Sequence, residues 1–454
     1  MKIHNCALIF LLTACSMAPA YHKPDAPIPN KYAASSADND WRDQLVEWEQ
    51  FFKDAPTLRL VKIAFENNRD LRVAMLNIEK TRAQYRIQRA DLLPTVNGTA
   101  SFDWQHVNEK TTRQYTVALG FSAFELDLFG RIQSLAESAL ENFYAVEEQA
   151  RGAKLSLMAE VAGVYLQLVA DRQQYDLTAA ALENRKKNYD IVHRKFEAGI
   201  ASDLDLSQAQ SLLDEAGANL AQSAAMIGKD ENNLTLLLGA PIPSDFPDVR
   251  KLADVVALED VPSGLPSSLL VRRPDIRAAE HMLRAAGANI GAARANFFPI
   301  ISLTGNFGTL SLDYKNLFEG PAQTWNFFPQ VVLPIFDTGR NIARLQMAEA
   351  DRSIAVAQYE KTVQTAFREV ADALVQRDNM ENQLMAQEAL VASTTRSLGH
   401  ATARYEAGVD AFINVLDAQR SLFSAQSALI AARLLRETNA LTLYKALGGG
   451  WENP

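Results

Sequence analysis

The residues able to do chemistry are few and poorly placed for it. Of six histidines, His4 and His22 lie near the amino terminus and His106 sits among polar residues. His193, His281 and His400 stand alone in helix-forming sequence. None belongs to a His-x-x-x-His pair or a dense carboxylate cluster, so no metal ligand set is predicted. The serine-nucleophile, nucleotide-phosphate and dinucleotide glycine motifs are all missing. Gly448-Gly449-Gly450 reads as a helix stop. No catalytic residue and no cofactor are therefore predicted. One other pattern stands out: Ile413, Asp417 and Arg420 fall at i, i+4 and i+7, on one face of a helix. Alone, Asp417 and Arg420 would make an exposed pair worth about 0.2–0.5 kcal/mol.

The two cysteines, Cys6 and Cys15, rule out a disulfide framework and a cysteine-based zinc site. Residues 1–14 read as a signal peptide, with Lys2 and His4 before an apolar stretch to Leu12. Leu12-Thr13-Ala14-Cys15 resembles the bacterial lipobox, in which the cysteine is acylated and becomes the first residue. Cleavage after Ala18-Pro19-Ala20 is the alternative. In such lipoproteins Ser16 after the cysteine implies sorting to the outer membrane. Residues 15–52 read as a lipidated tether, rich in Pro, Ala, Ser and Asp over 16–40. The net charge of −9 argues against binding nucleic acid or anionic lipid at large. No uninterrupted run of 18 apolar residues occurs, which predicts no transmembrane helix.

The chain resembles itself. Gly199 in Phe196-Glu197-Ala198-Gly199 matches Gly408 in Tyr405-Glu406-Ala407-Gly408, 209 positions on. At the same spacing Gly130-Arg131 meets Gly339-Arg340, Glu160-Val161-Ala162 meets Glu369-Val370-Ala371, and Leu238-Gly239 meets Leu447-Gly448. Upstream the spacing is 205, pairing Asp70-Leu71-Arg72 with Asp275-Ile276-Arg277 and Pro94 with Pro299. A duplicated unit is expected, the first over 53–240 and the second over 272–454, joined by an equatorial linker at 241–271.

Each unit predicts a helix, a β-hairpin, a very long helix and a shorter one. The hairpins are expected at 95–126 and 300–336, the long helices at 131–198 and 340–407, and the shorter ones at 203–238 and 412–447. Both long stretches are free of proline and rich in Ala, Leu, Glu, Gln and Arg. Helices of roughly 100 Å must be supported side by side. Leu206, Ala209, Leu213, Ala216 and Leu220 show the coiled-coil period that permits this, as do Val415, Ala418, Leu422, Ala425 and Leu429. The hairpins alternate instead: Val96, Gly98, Ala100, Phe102 and Trp104 in one strand, Tyr115, Val117, Leu119 and Phe121 in the next. Ile301, Leu303, Gly305 and Phe307 form the third. Trp325, Phe327, Val331 and Leu333 form a weaker fourth, interrupted by Pro329. Each is about as long as a membrane-spanning barrel strand. Alternation alone equally suits two soluble hairpins resting on helices. In lipid, four strands cannot close, whereas three copies supply twelve and leave room for a pore.

The chain closely resembles the TolC-type outer-membrane efflux proteins, in the lipoprotein branch often called NodT. The match is carried by Leu265-Pro266-Ser267-Ser268-Leu269-Leu270, Arg272-Arg273-Pro274-Asp275-Ile276-Arg277-Ala278-Ala279-Glu280 and Ala288-Asn289-Ile290-Gly291-Ala292-Ala293-Arg294 with Phe297-Phe298-Pro299. It continues in Phe124-Glu125-Leu126-Asp127-Leu128-Phe129-Gly130-Arg131, Leu416-Asp417-Ala418-Gln419-Arg420 and Leu443-Tyr444-Lys445-Ala446-Leu447-Gly448-Gly449-Gly450-Trp451. The resemblance implies an α+β membrane protein: a homotrimer with a twelve-stranded β-barrel, four strands per chain. A long periplasmic α-helical coiled-coil barrel continues it, with a mixed equatorial region.

It also implies a passive, gated exit channel in the outer membrane of a Gram-negative cell. Such a channel works with a periplasmic adaptor and a proton-driven inner-membrane pump, and is not an enzyme. Cys15 would carry the lipid. The periplasmic gate would comprise Ile413, Asp417 and Arg420, with Asp205 taking part from the first unit. In the duplication Asp417 and Arg420 correspond to Gln208 and Ser211, and Asp205 to Asn414, so charge on one unit faces a neutral counterpart. Rival readings are a conduit for protein secretion and a soluble periplasmic coiled-coil scaffold.

Overall fold

The computed structural model describes residues 17–25, 27–29, 32, 47–52, 54–252 and 272–449. The expected signal peptide, Cys15 and part of the expected linker lie outside these. In chain order come α1 (Trp48–Phe51), α2 (Ala55–Asn67), α3 (Arg69–Ala90), β1 (Asn97–Val107), β2 (Lys110–Leu126), α4 (Arg131–Glu197) and α5 (Asp203–Leu238). The order then repeats as α6 (Pro274–Ala295), β3 (Ile300–Ser311), β4 (Gln323–Val332), α7 (Arg340–Glu406) and α8 (Phe412–Ala446). Gly130, Gly199 and Gly239 have φ of 69°, 73° and 65°, and Gly339, Gly408 and Gly448 have 83°, 71° and 91°. These left-handed positions start or stop the helices at matching points.

The chain divides into two compact units. The first holds the antiparallel sheet, in the order β1-β2-β3-β4. Asn108 and Glu109, both at positive φ, form the two-residue turn between β1 and β2, the geometry that suits the twist of a hairpin. β2 carries an irregularity between Phe121 and Phe124, with Ala123 at φ 53°, as in a bulge. Pro329 takes a regular place opposite Leu303. It is tolerated because β4 is an edge strand within the chain, where one side of the backbone needs no partner from this sheet.

Glycines let β2 and β3 approach. A methyl group on Gly308 would run into the Val117 carbonyl, and one on Gly305 would lie 2.9 Å from the Phe121 ring. Gly308→Val is accordingly expected to cost at least about 1–3 kcal/mol through overpacking. Gly217→Ala, at a helical glycine with open space around it, should instead be neutral or stabilising. Heat-induced unfolding followed by gel mobility and circular dichroism distinguishes the two; equal stability would refute the packing account.

The second unit is held by a core in which Leu60, Val61, Met158, Tyr165, Val169, Leu234 and Leu238 are almost fully buried. α4 contains a segment long and apolar enough to cross a membrane, contrary to the expectation of none. Its composition is explained by packing, since 56% of that segment is buried within the protein.

At both described ends of the stretch 15–52, residues pack against helices. Phe51 and Phe52 are buried, and Phe51 stacks on Tyr444 with ring centroids 3.9 Å apart. Burying two aromatic rings outweighs the entropy of leaving this stretch free. In the first unit, residues 17–25 are fastened to α6. Arg294 donates to the Met17 carbonyl, Lys23 pairs with Glu280 at 2.9 Å, and Arg284 lies over the Tyr21 ring.

Candidate channel gate and membrane sheet

The helix pair α5 and α8 emerges from two glycine turns, and each turn is locked by its own side chains. Before α5, Ser202 and Asp205 form a capping box, the Ser202 backbone N–H and hydroxyl both donating to Asp205 Oδ2 at 3.0 and 2.7 Å. These bonds hold the Asp205 carboxyl below the usual carboxylate range, because they favour its charged form. Before α8, Arg404 grips Asp410 through two hydrogen bonds of 2.6 and 3.0 Å, which lowers the Asp410 pKa. Lys195 of α4 donates to the Tyr405 hydroxyl of α7, joining the two turns.

Between α5 and α8 lies a groove of about 450 Å³. Leu204 and Leu212 supply its apolar lining from α5, and Ile413 and Leu416 from α8; Gln208, Ser211, Asp417 and Arg420 supply its polar lining. Ile413 remains 44% exposed. Asp417 and Arg420 pair with each other at 2.9 Å while remaining 55% and 70% exposed. α8 is meanwhile held by the intervening residue, for Arg185 and Asn188 of α4 both donate to Gln419 Oε1, at 2.9 and 3.2 Å. Burial lowers the Arg185 pKa, and the nearby Arg420 charge adds to this.

Ile413, Asp417 and Arg420 thus meet in one groove, facing the positions Gln208 and Ser211 that correspond to the charged pair in the duplication. Asp205 does not line the groove; its carboxylate is engaged by the cap of its own helix. Cys15 lies outside the described residues. The Gln419 clasp and the Arg404–Asp410 lock escape sequence reasoning. The first joins residues more than 230 positions apart, and the second spans six positions across a turn. Among the described residues no group of His, Cys, Asp or Glu suits a metal ion.

In the first unit, the sheet register separates two chemistries. Leu119, Phe307 and Trp325 are cross-strand neighbours and exposed, and two residues along, Phe121, Gly305 and Phe327 form the next row of that face. The alternate rows are Gly120, Asn306 and Asn326, then Thr99, Ala118, Gly308 and Thr324. One face is therefore large and apolar, the other small and polar, as for a strand between lipid and a watery lumen.

A family model described as "Outer membrane efflux protein" matches residues 60–240 and 265–449. The chain belongs to the outer membrane efflux protein family. It is 46% identical over 455 residues to the probable efflux pump outer membrane protein TtgC of Pseudomonas putida, covering 97% of this chain and 94% of TtgC. With the outer membrane protein OprJ of Pseudomonas aeruginosa it shares 43% identity, over 98% and 95% of the two chains. Among solved structures, the open state of the Neisseria gonorrhoeae MtrE outer membrane channel superposes with a TM-score of 0.88 at 37% identity. That alignment covers 96% of this chain and 98% of MtrE. This outer-membrane efflux protein has the α+β fold of those channels, and its functional class is transport.

Proposed function

We propose that the chain is the passive, gated exit duct of a tripartite efflux system, assembled as a homotrimer. The observation that carries this reading is the two-faced sheet with two edge strands, β1 and β4. An open edge would leave backbone N–H and C=O groups unpaired in lipid, each costing several kcal/mol. Three copies of four strands join edge to edge into a twelve-stranded barrel with room for a lumen. The small polar rows would line the water and the aromatic rows would meet the lipid, with an acyl chain on Cys15 as a further anchor.

The groove residues Ile413, Asp417 and Arg420 would become three-fold rings closing the periplasmic end of the duct. Asp205 would contribute by setting the turn that leads into α5. A periplasmic adaptor would open this end and a proton-driven inner-membrane pump would supply cargo and energy. The duct itself carries no reaction. Purified wild-type protein is expected to migrate as a trimer in native mass spectrometry and to give small unitary conductance steps in a planar lipid bilayer. A monomer that forms no pore would overturn the reading.

A further inference from the structure

We propose that Asp230 of α5 holds a proton against the carboxylate of Asp171 of α4 and so latches these two helices together, a latch that weakens when the proton leaves. Each residue has a carboxylate oxygen, Oδ2, buried without any hydrogen-bond donor, and the two side chains are within hydrogen-bonding reach of each other. Two carboxylates placed so cannot both ionise cheaply, and a proton held between them satisfies both orphaned oxygens. Burial and the neighbouring Asp171 push the Asp230 carboxyl up to about 7, with the Glu231 charge adding to this.

The surrounding charges do not relieve the pair. On α4, Gln167 donates to Asp171 Oδ1 at 3.2 Å, while Arg172 is turned to Glu231 of α5 at 3.0 Å and to Asp248 of the following segment at 3.2 Å. Arg250 is held by Asp176 and Asp248. From α8 the approach is neutral, through Ser427, which bonds Gln174. Among the described residues no ion pair reaches Asp171 or Asp230.

The duplication supplies an internal comparison. Positioned 209 residues beyond Asp171 and Asp230 are Met380 and Asn439. There the contact between α7 and α8 is uncharged: Asn439 Nδ2 donates to the Met380 sulfur at 3.4 Å and to the Ala373 carbonyl at 3.1 Å. At the matching position the contact itself does not titrate, although Glu437 two residues away on α8 is a buried carboxyl whose pKa burial raises. The sign follows from the Asp230 pKa, which lies near 7 when packed and near 3.8 when exposed. Opening then releases about one proton between these values. The latch is tightest in acid, opening becomes up to about tenfold easier per pH unit from about 4 to about 7, and it levels off above. Any consequence for duct opening rests on the proposed channel; the exchange measurement below does not, so the two can fail separately.

Hydrogen exchange of the full detergent-solubilised protein at pH 5, 6, 7 and 8 tests the latch, with amide opening constants in α5 corrected for intrinsic rates. In wild type, opening of α5 near Asp230 is expected to rise toward pH 7 and then flatten; α8 near Asn439 is not the reference, because the buried Glu437 two residues away also has its pKa raised by burial. Asp230→Asn should remove about one proton from that slope, and Asp171→Asn should reduce it. The Asp171→Asn protein serves alone if Asp230→Asn does not fold. An unchanged slope of α5 in the variants, or a flat wild-type profile there, would overturn the latch. Millimolar calcium that closes α5 at pH 8 in wild type but not in Asp230→Asn would overturn it too, replacing the shared proton by a bridging cation.

Discussion

Replacing Asp417 and Arg420 together by alanine is expected to raise single-channel conductance several-fold over wild type in a planar bilayer. The pair is too exposed to hold a closed end by its own energy, since exposed ion pairs contribute about 0–1 kcal/mol. Its leverage is geometric. The two side chains neutralise each other in the groove that Ile413 and Leu416 also line, and in the proposed trimer each change acts three times. Truncation removes long side chains from the proposed constriction while leaving the Gln419 clasp to α4 untouched. The helix pair should therefore stay folded as the opening widens. Equal conductance in wild type and double variant would remove the gate assignment and keep the pore. In the proposed system an adaptor would need only modest preferential contacts with the open arrangement to do the same in wild type.

Arg273→Ala is expected to lower unfolding stability by about 1–3 kcal/mol, the scale for leaving a buried acceptor without its donor. Arg273 is 7% exposed. It donates to the Ala446 carbonyl at 2.7 Å and to Glu369 Oε2 at 2.8 Å, tying the end of α8 to α7. Gly448 packs on its backbone at φ 91°, where a methyl group would lie 3.3 Å from Arg273 Cα. Without the guanidinium, Glu369 can regain water at its partly exposed side, but the Ala446 carbonyl loses its donor inside the core. Arg273→Lys should recover only part of the loss, because one ammonium cannot reproduce the planar two-partner geometry. Thermal and urea unfolding of the purified protein would check both; a loss below about 0.5 kcal/mol for Arg273→Ala would show that the motif residue has another role.

Local features of this chain are legible because local chemistry dictates them. Uninterrupted helix-forming residues after Arg131 and Arg340, with a glycine at 199 and 408, are sufficient for two helices of 67 residues. Alternation at period two is sufficient for β1, β2 and β3, and the family motifs are sufficient for the transport class. The weak fourth strand shows the limit. Pro329 argues against a ladder in sequence, yet β4 forms because it lies at an edge.

Other features depend on which distant residues meet, and helical or strand period carries no information about that. Ile413, Asp417 and Arg420 share a helix face in any α8, but the groove they line exists only because α5 packs alongside. Asp205 is a plausible gate carboxylate by motif, and its engagement in a local cap appears only when Ser202 is placed in three dimensions. Phe51 and Phe52 follow a stretch with the composition of a tether, and burial against Tyr444 draws them into the core instead. Asp171 and Asp230 are ordinary surface-type residues until two helices bring their carboxyls together and burial removes the water that would separate their charges. Short-range propensity therefore specifies the elements, and long-range packing with its desolvation specifies what their side chains can do.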